Sequence, residues 1–198
     1  MKTTSMEFAR IVKGSHYGNT TTVHEYFIDS NKVTSNSAFF ALKGNRSDGH
    51  KYIASAIANG ASLIVIDKNH KDLISNYEAT FVVVEDTLKA LQQFATWVRI
   101  KSKATIIGIT GSCGKTTTKE MIASVLAQLG KTVKTPGNYN SEYGLPLSIL
   151  QLEEDTAYGV FELGTDHYGM MENSSDIAGS EYAVITNIGI SHLQNYSS

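Results

Sequence analysis

The chain of 198 residues is 41% hydrophobic and 18% charged with only 2 prolines, the composition of a globular chain able to bury a core, which disfavours disorder. Its 17 basic and 19 acidic residues leave a net charge of -2, so no general positive field favours nucleic acid or an anionic membrane, and any anionic ligand must be held locally. The single cysteine, Cys113, cannot close an intramolecular disulfide. No apolar run reaches the ~18 to 20 residues that cross a bilayer, and no signal-peptide pattern opens the chain, so a reducing cytoplasm without membrane insertion is expected.

In chain order, residues 37–42 (Ser-Ala-Phe-Phe-Ala-Leu) are predicted to be a short strand, ended by the turn-rich residues 43–49. Ile53, Ala56 and Ile57 share a helical face, and Asn59-Gly60 is a helix stop. Residues 62–67 read as a buried strand and 80–84 as a β-branched one. Asp86 or Thr87 then caps a helix with Leu88, Leu91, Ala95 and Val98 at helical spacing. The apolar pattern breaks at residues 100–103, which places a domain boundary after residue 101.

A second region opens with a strand at 104–109 and a Gly-rich turn. A helix follows with Met121, Ile122, Val125, Leu126 and Leu129 on one side, closed by Gly130. Strands at 131–135, 158–163 and 183–188, with a helical stretch at 144–150, complete the pattern. Strands separated by helices imply α/β architecture with a parallel sheet, whose ligand crevice lies at the carboxyl ends of the strands.

Residues 108–117 read Gly-Ile-Thr-Gly-Ser-Cys-Gly-Lys-Thr-Thr, between a predicted strand and a predicted helix. Gly111, Ser112, Cys113, Gly114, Lys115, Thr116 and Thr117 form a loop whose N–H groups and helix start can face one anion. Lys115 supplies a mobile charge for the outer phosphates, and the Thr116 hydroxyl suits magnesium. A strict Walker A spacing needs glycine at 109, which is isoleucine here, so the loop is a variant. Cys113 sits near a helix start that favours its thiolate, yet no histidine adjoins it, and it reads as a small residue contributing backbone. Glu162, ending an apolar strand, fits either a cation ligand or a satisfied structural acid. His16, His24 and His70 show no partner pattern and read as surface or packing residues.

Thr110-Gly111-Ser112-Cys113-Gly114-Lys115-Thr116-Thr117-Thr118-Lys119-Glu120-Met121 resembles the nucleotide loop and helix of the Mur ligase family. Residues 137–147, Gly-Asn-Tyr-Asn-Ser-Glu-Tyr-Gly-Leu-Pro-Leu, are similar to the segment that marks its MurF type. Phe161-Glu162-Leu163-Gly164 and Asn187-Ile188-Gly189-Ile190-Ser191-His192-Leu193 resemble the later metal-site segments. Asp29-Ser30, Phe39-Phe40-Ala41-Leu42-Lys43-Gly44 and Asp48-Gly49-His50 look like the family's uridine-nucleotide domain. Two positions depart from the pattern: Asn31 where arginine is usual, and Asp166-His167 where an Asn-His pair is usual.

The resemblance implies a small amino-terminal α/β uridine-nucleotide-binding domain (1–101), followed by a truncated P-loop parallel-sheet ATPase domain (102–198). It implies an ATP-dependent amide ligase in peptidoglycan precursor synthesis, joining D-alanyl-D-alanine to UDP-N-acetylmuramoyl-tripeptide through an acyl phosphate, with ATP and Mg2+ as cofactors and a monomeric state. On this reading Lys115 and Thr116 are catalytic, Ser30, Asp48, His50 and Asn138 contact substrate, and Thr116, Glu162 and His192 hold the metal. Turn formation is the competing reading of Asp48, His50 and Asn138. The family's carbamylated lysine and third domain are expected beyond residue 198, so the chain alone is expected to be inactive. The alternatives are a MurE-type or folylpolyglutamate-type ligase, an unrelated P-loop phosphotransferase, and a non-catalytic nucleotide-binding module.

Overall fold

The computed structural model describes residues 1–44 and 47–189. The chain divides into two compact units, Met1–Phe94 and Ala95–Ser198.

The first unit contains β1 (Thr3–Thr4), α1 (Ser5–Ile11), β2 (Ser15–Tyr17), β3 (Thr22–Val23), β4 (Glu25–Phe27), β5 (Ser37–Phe40), α2 (Ile53–Ala58), β6 (Ala61–Asp67) and β7 (Phe81–Val84). Its five-stranded sheet runs in the order β2-β7-β6-β5-β4. Strands β4 to β7 are parallel and β2 joins β7 antiparallel at the edge. Every residue of β5 and β7 is buried, as parallel strands covered on both faces must be. One face carries Phe39, Ile64, Ile66, Phe81 and Val83 against Ile53 and Ala56 of α2. An aromatic cluster gathers elsewhere in the unit, where Phe8 meets Phe40 and Phe94 edge-on with centroids 5.6 and 4.9 Å apart. These pairs add directional contact to the area buried.

Helix α3 (Thr87–Ser102) begins in this unit. Asp86 is its cap: one carboxylate oxygen accepts from the N–H groups of Leu88 and Lys89 at 2.8 and 3.0 Å, satisfying two of the helix's orphan donors. Thr87 is instead buried and donates to the Ala41 carbonyl at 3.1 Å. The helix continues through residues 100–102 and ends at Lys103, whose left-handed φ of 57° turns the chain.

The second unit contains β8 (Thr105–Thr110), α4 (Lys115–Leu126), β9 (Thr132–Lys134), α5 (Gly144–Ile149), β10 (Tyr158–Glu162), α6 (Met170–Ala178) and β11 (Tyr182–Ile185). The four strands are parallel in the order β11-β8-β10-β9. From β8 the chain crosses by way of α4 to β9, whereas from neighbouring β10 it crosses by α6 in the opposite direction to β11. Chain paths that diverge from adjacent strands open a crevice at the carboxyl ends of β8 and β10. The loop after Thr110 and the side chain of Glu162 lie there.

Helix α4 departs from its expected apolar side. Ile107, Ile109 and Val160 pack with Ala123, and with Ile122 and Leu126, which are partly buried. Met121, Val125 and Leu129 are instead 65 to 70% exposed. The fully buried long side chain of the helix is a lysine, Lys119. No helix among the described residues is long and apolar enough to cross a membrane.

Candidate phosphate and cation site

The loop after β8 is shaped by its glycines and by the segment that follows β11. Gly111 has φ of 134°, and a Cβ there would lie 2.1 Å from the Thr186 hydroxyl, so glycine is required both for conformation and for close approach. Thr186 donates to the Cys113 carbonyl at 2.6 Å. Asn187 accepts the Cys113 N–H on its side-chain oxygen at 2.9 Å and the Ser112 N–H on its main-chain oxygen at 3.1 Å, and its amide donates to the Cys113 sulfur. Ser112 and Cys113 thus have their N–H groups turned to residue 187. The donors facing the helix end are those of Gly114, Lys115, Thr116 and Thr117, because the first turn has no intrahelical acceptors. Gly114, at φ of 83°, precedes the helix with no side-chain cap among the described residues.

Lys115 Nζ donates to the Gly111 carbonyl at 2.6 Å, folding back over the loop. Thr116, one residue on, donates its hydroxyl to Glu162 Oε2 at 2.8 Å. Glu162 ends β10 and is 2% exposed. Its other oxygen accepts from Asn140 Nδ2 at 2.8 Å, and its N–H donates to the Thr135 hydroxyl at 2.9 Å. A hydroxyl and a buried carboxylate side by side next to the helix start are hard oxygen donors of the kind magnesium takes along with phosphate.

Of the residues expected at this site, the structure brings Gly111, Ser112, Cys113, Gly114, Lys115, Thr116, Thr117 and Glu162 to one crevice. Asn138 is exposed, and the asparagine on the carboxylate is Asn140, two residues later. His192 lies outside the described residues.

In the first unit, Asp48 Oδ1 accepts from both the N–H and the Nδ1 of His50, at 3.0 and 2.6 Å. His50 Nε2 lies 3.3 Å from the Asp67 main-chain nitrogen. His70 stacks on His50 with centroids 3.7 Å apart and an interplanar angle of 12°. It also reaches Asp67 Oδ1 at 3.0 Å. His70 is therefore part of this polar cluster, although sequence reading left it without a partner. The stacking disfavours a shared cation, because parallel rings direct their in-plane lone pairs along parallel lines. Ser30 is buried in the short helical turn Ser30–Lys32, and its carbonyl accepts from Asn59 Nδ2 at 2.9 Å.

Burial raises the carboxyls of Asp48 and Asp67, but hydrogen bonds from His50 to Asp48 and from His70 to Asp67, with the charges of both rings, outweigh it and hold both below the usual range. A lowered carboxyl contributes stability above its ordinary value of 3.8 and loses it as pH falls through the folded-state value. Between about pH 4 and pH 3 the denaturant midpoint should therefore fall less steeply in Asp48→Asn/Asp67→Asn than in the unaltered chain. Parallel slopes in chemical denaturation would contradict this.

Residues 22–98 match the model of the Mur ligase family, catalytic domain, and residues 109–198 match that of the Mur ligase middle domain. The chain belongs to the Mur ligase family. This Mur ligase chain is 39% identical over 192 residues to the UDP-N-acetylmuramoyl-tripeptide--D-alanyl-D-alanine ligase of Buchnera aphidicola, a match covering 97% of the chain and 41% of that protein. It is 37% identical to the ligase of the same name from Bacillus subtilis, covering 100% and 44%. Among solved structures, MurF from Acinetobacter baumannii superposes with a TM-score of 0.90 at 34% identity, covering 98% of the chain and 43% of that protein. The MurF ligase from Thermotoga maritima in complex with ADP gives 0.75 at 35%, covering 86% and 39%. The Mur ligase chain therefore spans about two fifths of the length of these relatives.

Proposed function

We propose that the chain is the amino-terminal part of an ATP-dependent amide ligase that joins D-alanyl-D-alanine to UDP-N-acetylmuramoyl-tripeptide, a step of peptidoglycan precursor synthesis. The observation that carries this is the 2.8 Å contact between Thr116 and Glu162 beside Lys115. A lysine, a helix start and a carboxylate converge there, as transfer of a phosphoryl group requires. The names of the relatives supply the substrate class, and the ADP bound in the Thermotoga maritima structure supports the nucleotide.

A carboxylate is a poor acyl donor to an amine. In the proposed reaction the tripeptide's terminal carboxylate oxygen attacks the γ-phosphorus of ATP, the bond to the β-phosphate oxygen breaks, and ADP leaves. The amino group of D-alanyl-D-alanine then attacks the acyl carbon, loses a proton, and phosphate departs. In this scheme the N–H groups of residues 114–117 and the Lys115 ammonium bind and orient the polyphosphate and offset the charge that develops on its oxygens. Thr116 and Glu162 would hold magnesium, which supplies charge neutralisation at the β- and γ-phosphates when bound. Asn140 fixes the orientation of the Glu162 carboxylate. Asp48 and His50, with Ser30, are the proposed uridine-nucleotide contacts, an assignment that rests on the family resemblance of their segments. His192 and Asn138 remain proposed as metal and substrate contacts. The lone cysteine supports a cytoplasmic location and the small net charge a chain that binds neither nucleic acid nor membrane, while the monomeric state is proposed on the family resemblance alone.

Titrating the chain calorimetrically with UDP-N-acetylmuramoyl-tripeptide, and separately with ATP in magnesium, tests the proposal. Saturable binding of both is expected, with the UDP-muramoyl dipeptide weaker than the tripeptide. Binding of neither, or preference for the dipeptide, would overturn it.

A further inference from the structure

Lys119 belongs to no role assigned so far, yet its side chain is completely buried. Its ammonium donates to the carbonyls of Thr135 and Gly137 at 2.8 and 2.7 Å and meets Glu120 Oε1 at 3.1 Å. Three donors are matched to three acceptors. Burying an ammonium carries a large desolvation penalty, and an apolar side chain of similar volume usually serves a helix face as well or better. What the charge supplies here is specific: it grips the main chain on both sides of Pro136, where the segment leading to Asn140 leaves the sheet.

The gripped residues are those that shape the Glu162 site. Thr135 is fully buried, and its hydroxyl accepts the Glu162 N–H. Gly137 has a left-handed φ of 52°, and a Cβ there would meet nothing within 4 Å. Glycine is therefore needed for backbone conformation and not for room. Three residues beyond, Asn140 donates to Glu162 Oε1, while its carbonyl accepts the Gly164 N–H at 3.1 Å. The circuit closes through α4 itself, since Thr116, one turn before Lys119, donates to the other Glu162 oxygen.

We infer that Lys119 is a positioning residue: by pinning the carbonyls of Thr135 and Gly137, it sets the place of Asn140 and so the orientation of the Glu162 carboxylate toward Thr116. It thereby couples the phosphate-binding helix to the 137–140 segment. The consequence for metal binding rests on the proposed role of Glu162, whereas the consequence for Asn140 does not.

The test is Lys119→Met in the whole chain, read by the side-chain amide signals of Asn140 in a nitrogen–proton correlation spectrum and by Mn2+ affinity in the presence of ATP. The Asn140 signals should move toward those of a free amide. Apparent Mn2+ affinity should fall about tenfold, the scale of effect for a group that orients a metal ligand. Glu120→Gln, which keeps both carbonyl bonds, should leave the Asn140 signals in place. A residue that only stabilises the fold would lower the melting temperature and leave those signals unmoved, and that outcome in a folded Lys119→Met overturns the inference. Should Lys119→Met not fold, Gly137→Val attacks the same link from its other end, because a β-branched residue resists the left-handed region. Its Asn140 signals should shift likewise, and unshifted signals overturn the inference. Failure of the unaltered chain to bind Mn2+ with ATP would count against the Glu162 reading alone, since the Asn140 signals still decide the role of Lys119.

Discussion

Replacing Lys115 with alanine is expected to weaken ATP binding by about ten- to a hundredfold while leaving the melting temperature nearly unchanged. The size follows from a charge-assisted hydrogen bond to phosphate, worth about 1.5 to 3 kcal/mol, which is about one to two powers of ten in affinity. The small effect on folding follows from the position of the side chain. Lys115 is only partly buried, at the first position of α4, and its ammonium donates to one neutral acceptor, the Gly111 carbonyl. Gly111 is itself only half-buried. Calorimetric titration beside a thermal melt separates the two effects. Unchanged affinity in a folded Lys115→Ala would remove the lysine from the phosphate site.

Glu162→Gln and Glu162→Ala should behave differently, and the contrast isolates the charge. The glutamine keeps the volume of a side chain that is 2% exposed. Its amide oxygen can accept from Asn140, and its amide nitrogen can donate to the Thr116 hydroxyl, so little stability should be lost. Magnesium should then no longer strengthen ATP binding, a loss of about tenfold or more for one anionic oxygen donor. The alanine removes the same charge and also strands the half-buried Asn140 amide, at up to about 1 to 3 kcal/mol, whereas the hydroxyl of the exposed Thr116 can turn to water. Denaturant unfolding should show that cost in Glu162→Ala only. ATP titrations with and without magnesium should show the loss in both. A Glu162→Gln chain whose ATP affinity still responds fully to magnesium would contradict the assignment.

The parts of the site legible in the sequence are those made by contiguous residues. A strand, two glycines, a lysine and a helix follow one another from Thr105 to Leu126, so local turn chemistry alone places Gly114, Lys115 and Thr116. Glu162 was visible because a carboxylate at the end of an apolar strand needs a partner. The partner itself was not visible. Asn138 and Asn140 are chemically identical, and the choice between them is made at Gly164, whose N–H holds the Asn140 carbonyl, and at Lys119, far away in sequence. His70 was missed for the same reason, since its stacking on His50 depends on how the end of β6 meets the loop before α2.

The fold shows a similar division. The buried runs of β5, β6 and β7 declare themselves by β-branched and aromatic residues. Helix α1, with seven residues, and α6, whose sequence is Met-Met-Glu-Asn-Ser-Ser-Asp-Ile-Ala, carry too short or too polar a pattern to register. In α4 the apolar period is present but incomplete as a guide. Met121 and Val125, with Leu129 just beyond the helix, are exposed, and a lysine takes the deepest position, because two main-chain carbonyls and the Glu120 carboxylate receive its ammonium there. A pattern that assigns every lysine to solvent has no means of finding it.

The most direct measurement is a crystal structure of the chain soaked with a non-hydrolysable ATP analogue and Mn2+, with the metal located by its anomalous signal. The polyphosphate should lie over the N–H groups of residues 114–117, with Lys115 turned from the Gly111 carbonyl toward it and the metal between Thr116 and Glu162. A polyphosphate bound elsewhere, or a metal that ignores Glu162, would contradict the assignment of this site.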